Sequence, residues 1–232
     1  MSLIAIVPAR GGSKRIPRKN LVPFMGVPMI ERVVRMLVES VLVDRVVVST
    51  DDPEIAVVAR SSGAVVPKLR AKDLSDDFTM TAPVVLDALD WPDTSFGPAD
   101  EVLVAYPTSI FLDDSLISKL LSRFRVNDVE HVFVAVGLGC PVGRSWSRKD
   151  EVWTVYNPST FFERSQDLPE AFCDSGQGYL SRRSAWEKMA SGVVPTSAAV
   201  VVDRWAAVDI DTESDFKLAE AVYRASRNSR GK

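Results

Sequence analysis

Five cationic side chains are concentrated in one short segment near the start of the chain. The segment spanning residues 9–20 contains no acidic residue, whereas the whole chain has a net charge of −3. Its cations are Arg10, Lys14, Arg15, Arg18 and Lys19. Gly11 and Gly12 provide backbone without Cβ atoms, which can turn its N–H groups toward an anion. These residue types and their spacing indicate a binding site for a polyphosphate.

A solvated turn is the alternative interpretation of this segment. Basic loops are common on protein surfaces, and two consecutive glycines can form a simple turn. The segment matches neither the G-x-x-x-x-G-K-[ST] pattern nor the G-x-G-x-x-G pattern of common phosphate-binding loops. From the residues alone, both interpretations stay open.

Two acidic residues near the other end of the chain are candidate metal ligands. Asp209 and Asp211 are separated by one residue, so an extended backbone would point both side chains the same way. Two convergent carboxylates beside a phosphate site could hold Mg²⁺. Alternatively, they are acids that complement the dipole of a helix beginning after Thr212, which approximates a capping box with Asp215. The residues alone do not decide between the two roles.

The order of the predicted elements indicates an α/β fold with a mostly parallel sheet. Buried apolar runs alternate with amphipathic stretches, as in β-α-β units with right-handed crossovers. Ligands bind beyond the carboxyl ends of the strands in such folds, and the cationic segment follows the first strand. The predicted strands span residues 3–7, 45–50, 64–66, 101–105, 132–136 and 198–202. The predicted helices span about 28–40, 53–63, 81–89, 113–124, 184–190 and 212–224.

The α/β alternation stops at residue 137 and returns near residue 184. Glycines, prolines and tryptophans interrupt the intervening stretch, which predicts irregular or hairpin structure. We interpret 139–183 as a small lobe inserted into a single domain that spans 1–232. Its aromatic residues could form a partner surface or a small local core.

Composition narrows the class of protein. The chain is 46% hydrophobic and 25% charged, which is typical of a globular protein with a sizeable core. Its two cysteines give neither a disulfide framework nor a metal-ligand spacing. No apolar run approaches the ~20 residues of a membrane span, and no signal peptide is recognisable. We therefore expect a cytoplasmic protein without membrane or nucleic-acid partners.

Four collinear blocks of this sequence resemble the cytidylyltransferases that activate nine-carbon acid sugars, the acylneuraminate cytidylyltransferase family. P-A-R-G-G-S-K with K-N, at 8–14 and 19–20, resembles the phosphate loop of that family. V-S-T-D-D at 48–52 and the residues around Leu69-Arg70 and Leu74-Ser75-Asp76 resemble its next two blocks. V-D-I-D-T at 208–212 is similar to its metal-binding block. R-S-Q-D-L-P-E-A-F at 164–172, followed by D-S-G-Q, resembles the pseudaminic acid cytidylyltransferases in particular.

The resemblance implies a three-layer, Rossmann-like nucleotide-diphospho-sugar transferase fold. It implies that CTP and a nine-carbon acid sugar give a CMP-sugar and pyrophosphate, with Mg²⁺ as cofactor. The catalytic residues would be Arg10, Lys19, Asp209 and Asp211, the two aspartates being the metal ligands. The nucleotide would bind to Arg10, Gly11, Gly12, Ser13, Lys19, Asn20, Arg70 and Thr81. The sugar would bind to Tyr106, Ser109, Arg164, Gln166, Gln177 and Tyr179. The lobe at 139–183 resembles the segment through which these enzymes dimerise, so we expect a homodimer.

Several positions depart from the pseudaminate pattern and leave the sugar open. Cys173 replaces a histidine, and Gly178 and Leu180 stand where bulky aromatic residues are usual. Sialic acid, legionaminic acid and a deoxy-octulosonate are the alternative substrates. A catalytically inactive nucleotide-binding module on the same fold is an alternative of a different class.

Overall fold

A computed structural model of the chain describes residues 2–91, 94, 97, 101–126 and 128–230, with side chains up to residue 226. The strands are β1 (Leu3–Pro8), β2 (Pro23–Phe24), β3 (Val27–Pro28), β4 (Arg45–Ser49), β5 (Glu101–Val104), β6 (His131–Gly137), β7 (Trp146–Lys149), β8 (Val152–Val155), β9 (Phe172–Ser181) and β10 (Ser197–Val202). The helices are α1 (Met29–Glu39), α2 (Pro53–Ser61), α3 (Thr81–Leu89), α4 (Asp114–Val126), α5 (Arg183–Ala190) and α6 (Glu213–Arg230). No helix among these residues is long and apolar enough to cross a bilayer.

Six of the described strands form the central sheet in the order β10-β6-β9-β5-β1-β4. β1 pairs in parallel with both β4 and β5, and β10 pairs in parallel with β6. β9 is antiparallel to both of its neighbours, β5 and β6. The predicted mostly parallel α/β sheet is therefore confirmed.

Alternating side chains of β1 divide the core into two layers. Ala5 and Val7 pack on one face with the apolar sides of α1, α2, α4 and α6, whereas Ile4 and Ile6 pack on the other with α3 and α5. Because successive strand residues point to opposite faces, a strand buried on both sides must be apolar throughout. This explains the uninterrupted run at 3–7 and gives the predicted three layers.

Local capping signals set the ends of several helices. Asp52 accepts hydrogen bonds from the backbone N–H groups of Glu54 and Ile55, so α2 begins where the sequence predicts. The Asp215 carboxylate accepts a hydrogen bond from the Thr212 N–H at 2.8 Å, and the Asp215 N–H donates to Thr212 Oγ1 at 3.2 Å. The predicted capping box at the start of α6 is thus present.

Two predicted elements differ from the structure. Pro28, predicted as the first residue of a helix, ends β3 and precedes α1, because its ψ of 137° is extended and not helical. The strand predicted at 64–66 is reduced to a single bridge, in which Val65 pairs with Val47 beyond the edge of β4.

The segment predicted as an inserted lobe is divided between two environments. Residues 172–181 form β9 inside the central sheet. The antiparallel hairpin of β7 and β8 lies outside that sheet, and its strands are mostly exposed. The part of 139–183 that lies outside the central sheet therefore ends near Ala171. We call residues 139–171 the arm.

Candidate active site

A cavity of about 650 Å³ opens beyond the carboxyl ends of β1 and β5. One side of it, the cationic wall, is lined by Arg10, Lys14, Arg15, Lys19 and Arg70. Another side, the tyrosine wall, is lined by Thr81, Tyr106, Asp174 and Tyr179. Ser13, Asn20, Asp209 and Asp211 also line the cavity. Most of the site residues that the sequence predicts therefore share one crevice.

The segment after β1 is held in a defined turn. The Asn20 side-chain amide donates to the Arg10 carbonyl at 2.8 Å, which fastens the end of the segment to its beginning. The Gly11 N–H donates to Asp51 Oδ1 at 2.9 Å. A Cβ atom at Gly11 would lie 2.6 Å from Asp52 Oδ2, so this close approach requires glycine. The Gly11 N–H thus binds a carboxylate of the chain itself.

Acidic side chains compensate part of the cationic wall. Arg10 Nη1 lies 2.7 Å from Asp77 Oδ1 and also donates to the Asp76 carbonyl at 2.9 Å. Lys14 pairs with the same Asp77 carboxylate. These cations lower the pKa of Asp77 below its usual value. Arg10 and Lys14 are therefore held by an exposed carboxylate that a phosphate could replace.

The cationic segment contacts the segment that contains Asp209 and Asp211, which we call the late aspartates. Lys19 Nζ donates to the Ile210 carbonyl at 2.7 Å and lies 3.2 Å from Asp211 Oδ1. Arg15 Nη2 lies 2.8 Å from the same oxygen. Ile210 is fully buried between Asp209 and Asp211, whose side chains both line the cavity. This is the alternation that the sequence predicts for the segment.

The Asp209 carboxylate suits a cation. No hydrogen bond to it is found within the described part of the chain, and desolvation, followed by repulsion from Asp211, raises its pKa. A bound cation would relieve both effects. Mg²⁺ is usually held by one or two carboxylates together with substrate phosphates and water. Asp209 and Asp211 fit that pattern, while no cluster of three or more His, Cys, Asp or Glu side chains in the described ranges could hold a metal alone.

Arg70 is a buried cation at the base of the cationic wall. It is 6% exposed, its Nε donates to Ser75 Oγ at 3.1 Å, and its Nη2 lies 3.9 Å from Asp51 Oδ1. Desolvation lowers its pKa. A guanidinium that is this poorly hydrated and only loosely paired gains from an anionic partner.

Two hydrogen bonds and one ring contact connect the tyrosine wall. Thr81 Oγ1 and the Tyr106 hydroxyl are 2.6 Å apart, and the Tyr179 hydroxyl donates to Asp174 Oδ2 at 2.8 Å. The two tyrosine rings meet edge to face with centroids 5.8 Å apart. Burial raises the pKa of both phenols, so both remain neutral near pH 7. His131 stacks on Tyr179 from behind.

Several predicted sugar-binding residues do not line this cavity. Ser109 is fully buried, and its hydroxyl Oγ donates a hydrogen bond to the backbone carbonyl of Gly176 at 3.0 Å. Gln177 is also fully buried and bonds to the Phe111 N–H and the Val208 carbonyl. Arg164 and Gln166 are exposed on the arm, and the Arg164 guanidinium forms two hydrogen bonds to Asp167.

Gly11 and Gly12, predicted to bind the nucleotide, are also outside the cavity lining. Lys14 and Arg15, predicted only as cations of the polyphosphate segment, line the cavity as well. Asp76, Asp77 and Asp174 line it without a predicted role in binding or catalysis. Asp77 and Asp174 reach the cavity from segments distant in sequence, Asp174 from β9, so their place in the site depends on the tertiary structure.

Comparisons with known proteins agree with this geometry. A family profile described as Cytidylyltransferase matches residues 4–170. The chain is 33% identical over 231 residues, 99% of each chain, to pseudaminic acid cytidylyltransferase of Campylobacter jejuni. It is 30% identical over 243 residues, again 99% of each chain, to CMP-N,N'-diacetyllegionaminic acid synthase of Legionella pneumophila. A solved structure of CMP:2-keto-3-deoxy-manno-octonic acid synthetase complexed with CTP matches 97% of this chain and 100% of its own, with a TM-score of 0.70 and 15% identity. At 15% identity, this structural match supports the fold alone.

Proposed function

This chain belongs to the cytidylyltransferase family, and from that premise we propose that it transfers CMP from CTP to a nine-carbon acid sugar, pseudaminic acid. In this reaction the anomeric hydroxyl oxygen of the sugar bonds to the α-phosphorus of CTP. The bond from that phosphorus to the bridging oxygen breaks, pyrophosphate leaves with the electron pair, and the hydroxyl proton is released. The products are a CMP-sugar and pyrophosphate.

The observation that carries the proposal is the meeting of the cationic wall with Asp209 and Asp211 in one cavity. Phosphoryl transfer depends mainly on positioning and countercharge, because negative charge spreads over the phosphate oxygens. Arg10, Lys19 and Arg70 would supply that countercharge. Lys19 is anchored to the Ile210 carbonyl, so it holds its charge beside the two aspartates.

We propose that Asp209 and Asp211 hold Mg²⁺, which when bound would neutralise phosphate charge. The chain's own residues would then position the reactants. Ser13 and Asn20 line the nucleotide side, and Thr81 does so at the first residue of α3. Tyr106 and Tyr179 would form the neutral surface against which the sugar packs. We place the reaction in the cytoplasm, where cysteines such as the exposed, unpaired Cys140 and Cys173 stay reduced.

Three features favour pseudaminic acid over the other sugars. The segment at 164–172 resembles the corresponding segment of the pseudaminate enzymes, and identity is 33% to the Campylobacter jejuni relative against 30% to the legionaminic acid synthase. Tyr106 stands where sialic acid enzymes tend to have glutamine. Tyr106 and Tyr179 meet edge to face in the cavity, so a sugar there would meet aromatic surface in place of an amide.

A substrate panel tests the proposed function. The purified chain would be incubated with CTP, Mg²⁺ and each of four sugars: pseudaminic, legionaminic, sialic and deoxy-octulosonic acid. We expect pyrophosphate release and a CMP-sugar, detected by mass spectrometry, with the largest kcat/KM for pseudaminic acid. A larger kcat/KM for another sugar would correct the substrate. Lack of product with all four, while CTP still binds, would indicate an inactive nucleotide-binding module.

We also propose that the chain acts as a homodimer in which the arm contacts a second copy. The arm exposes large aromatic side chains, including Trp146, Trp153 and Phe162, which is 93% exposed. Exposed apolar clusters of this kind mark interaction surfaces. Arg164 and Gln166 do not line the cavity of their own chain, so they would reach a sugar only in the cavity of a second copy.

Mixing two inactive variants tests this arrangement. Asp211→Ala disables a cavity, whereas Arg164→Ala disables an arm. If each arm completes the cavity of the other copy, mixed dimers regain activity because one intact cavity meets one intact arm. Light scattering at micromolar concentration should give the mass of a dimer. A monomeric mass, or a mixture no more active than its components, would contradict the proposal.

A further inference from the structure

Strand β9 carries an irregularity at the edge of the cavity. Tyr179 pairs with Phe133 of β6, whereas Asp174 pairs with Ala135, so four residues of β9 lie opposite a single residue of β6. Gly176 lies inside this bulge with φ of +68°, a conformation that favours glycine. Bulges of this kind redirect side chains next to active sites. Here the bulge separates Asp174 from the regular part of the strand.

Buried hydrogen bonds hold the bulge in place. Ser175 Oγ donates to the Val134 carbonyl at 2.9 Å, and Ser109 Oγ donates to the Gly176 carbonyl at 3.0 Å. Both serines are buried, at 3% and 0% exposure. Buried polar groups that are fully paired specify one geometry. The bulge is therefore a built feature of the cavity edge.

The Asp174 carboxylate is oriented by two donors. The Tyr179 hydroxyl donates to Oδ2 at 2.8 Å, and the Gly176 N–H donates to Oδ1 at 2.9 Å. Asp174 lines the cavity. No lysine or arginine of the described chain forms a salt bridge with its carboxylate. A carboxylate has about four acceptor positions, so two remain for a ligand.

The charge of Asp174 restricts what that ligand group can be. A carboxylate repels phosphate and the carboxylate of an acid sugar, which belong beside the cationic wall. It accepts hydrogen bonds from neutral donors. Resting on the proposed function, we propose that Asp174 is a specificity residue that accepts a hydrogen bond from a hydroxyl or acylamino N–H of the sugar. The sugar would then bind with its own carboxylate turned away from Asp174.

Metal binding is the competing role for this carboxylate. Asp174 already accepts hydrogen bonds at both oxygens, from Tyr179 and Gly176. In the ranges that the structure describes, its carboxylate does not form a three-residue metal cluster with Asp209 and Asp211. These contacts suit a fixed acceptor for a substrate donor better than a metal ligand.

Steady-state kinetics of Asp174→Ala, Asp174→Asn and Tyr179→Phe test the inference. With the sugar that the wild-type protein uses best, Asp174→Ala should raise the sugar KM about 10- to 100-fold, the range for loss of a hydrogen bond to a charged group. The CTP KM should change less than about twofold, because Asp174 would not contact CTP. The Mg²⁺ concentration for half-maximal rate should change less than the sugar KM, because Asp174 would act on Asp209 only through its charge. Asp174→Asn keeps an acceptor oxygen, so its sugar KM should lie between those of the wild-type protein and Asp174→Ala. Tyr179→Phe should raise the sugar KM less than Asp174→Ala does, because the carboxylate loses only one of its donors. Glu39→Ala, which removes an exposed carboxylate of α1 outside this cavity, is the matched control.

The outcomes separate this inference from the proposed function. If the wild-type protein makes no CMP-sugar, the proposed function fails and the inference fails with it. If the wild-type protein is active but a folded Asp174→Ala variant keeps its sugar KM, only the inference fails. A raised Mg²⁺ requirement in Asp174→Ala would overturn it in favour of metal binding. Thermal unfolding of each variant shows whether the fold is retained, and Tyr179→Phe keeps the test available if Asp174→Ala does not fold.

Discussion

The two walls of the cavity are assembled in different ways. Four of the five residues of the cationic wall lie within eleven consecutive positions, 10–20, in the loop after β1. The tyrosine wall takes Thr81 from α3, Tyr106 from the loop after β5, and Asp174 and Tyr179 from β9. The first wall is thus a local feature of the sequence, and the second exists only after the sheet has formed.

The walls also differ in what holds their side chains. Arg10 and Lys14 are paired with the exposed Asp77 carboxylate, and Arg15 with Asp211. Solvent-exposed ion pairs contribute little to stability, so phosphate oxygens can replace these carboxylates at small cost. The tyrosine wall is instead fixed by hydrogen bonds and ring packing. Arg10, Lys14 and Arg15 can therefore adapt to a flexible triphosphate, whereas the tyrosine wall presents a fixed shape, as selection of one sugar requires.

Asp211→Ala should have the largest effect, because this side chain links the late aspartates to the cationic wall. It removes the partner of both Lys19 and Arg15 and one of the two carboxylates proposed to hold Mg²⁺. We expect kcat to fall about 10²-fold or more, as for loss of one transition-state contact. Assays that are quenched at fixed times, with saturating CTP and sugar, measure kcat. Asp211→Asn, which keeps the shape but removes the charge, should be similarly impaired. Near-normal turnover in either variant would remove Asp211 from the chemistry.

Lys19→Ala and Lys14→Ala compare two cations of the same wall. The Lys19 side chain is 18% exposed and anchored to the Ile210 carbonyl, whereas the Lys14 side chain is 79% exposed and pairs with Asp77. Loss of the anchored cation should lower kcat/KM for CTP about 10- to 100-fold, since charge-assisted hydrogen bonds are the strong ones. Loss of Lys14 should lower it less than about threefold, as for a solvated charge. Equal effects of both variants would mean that total charge matters and position does not.

The sequence was most informative where function depends on neighbouring residues. The cation-rich segment, the Asp209–Asp211 alternation and the caps at Asp52 and Thr212 are local patterns, and the structure contains each of them. The α/β order likewise follows from strand and helix periodicity. These features need no knowledge of which elements pack together.

The sugar side could not be predicted in the same way. Gln177 and Ser109 have polar side chains typical of a binding site, but they lie inside the fold and bond to backbone groups. Asp174 reaches the cavity because of a bulge whose register depends on pairing between β9 and β6, which no local pattern encodes. The segment 172–181 looks like part of a lobe in the sequence because β9 is antiparallel in a mostly parallel sheet and therefore breaks the β-α alternation.

Gln177→Ala should have the smallest effect on catalysis and a clear effect on stability. Gln177 lies behind the tyrosine wall, where its Oε1 accepts a hydrogen bond from the Phe111 N–H and its Nε2 donates to the Val208 carbonyl, each at 3.2 Å. Removing the side chain leaves these buried backbone groups unpaired, which should lower the free energy of unfolding by about 2 kcal/mol and the melting temperature by about 4–8 °C. The sugar KM should change less than about threefold, because Gln177 does not line the cavity. Gln166→Ala, at an exposed position on the arm, is the control and should leave the melting temperature unchanged. A large rise in sugar KM without loss of stability would return Gln177 to the sugar site and show that the tyrosine wall opens further when substrate binds.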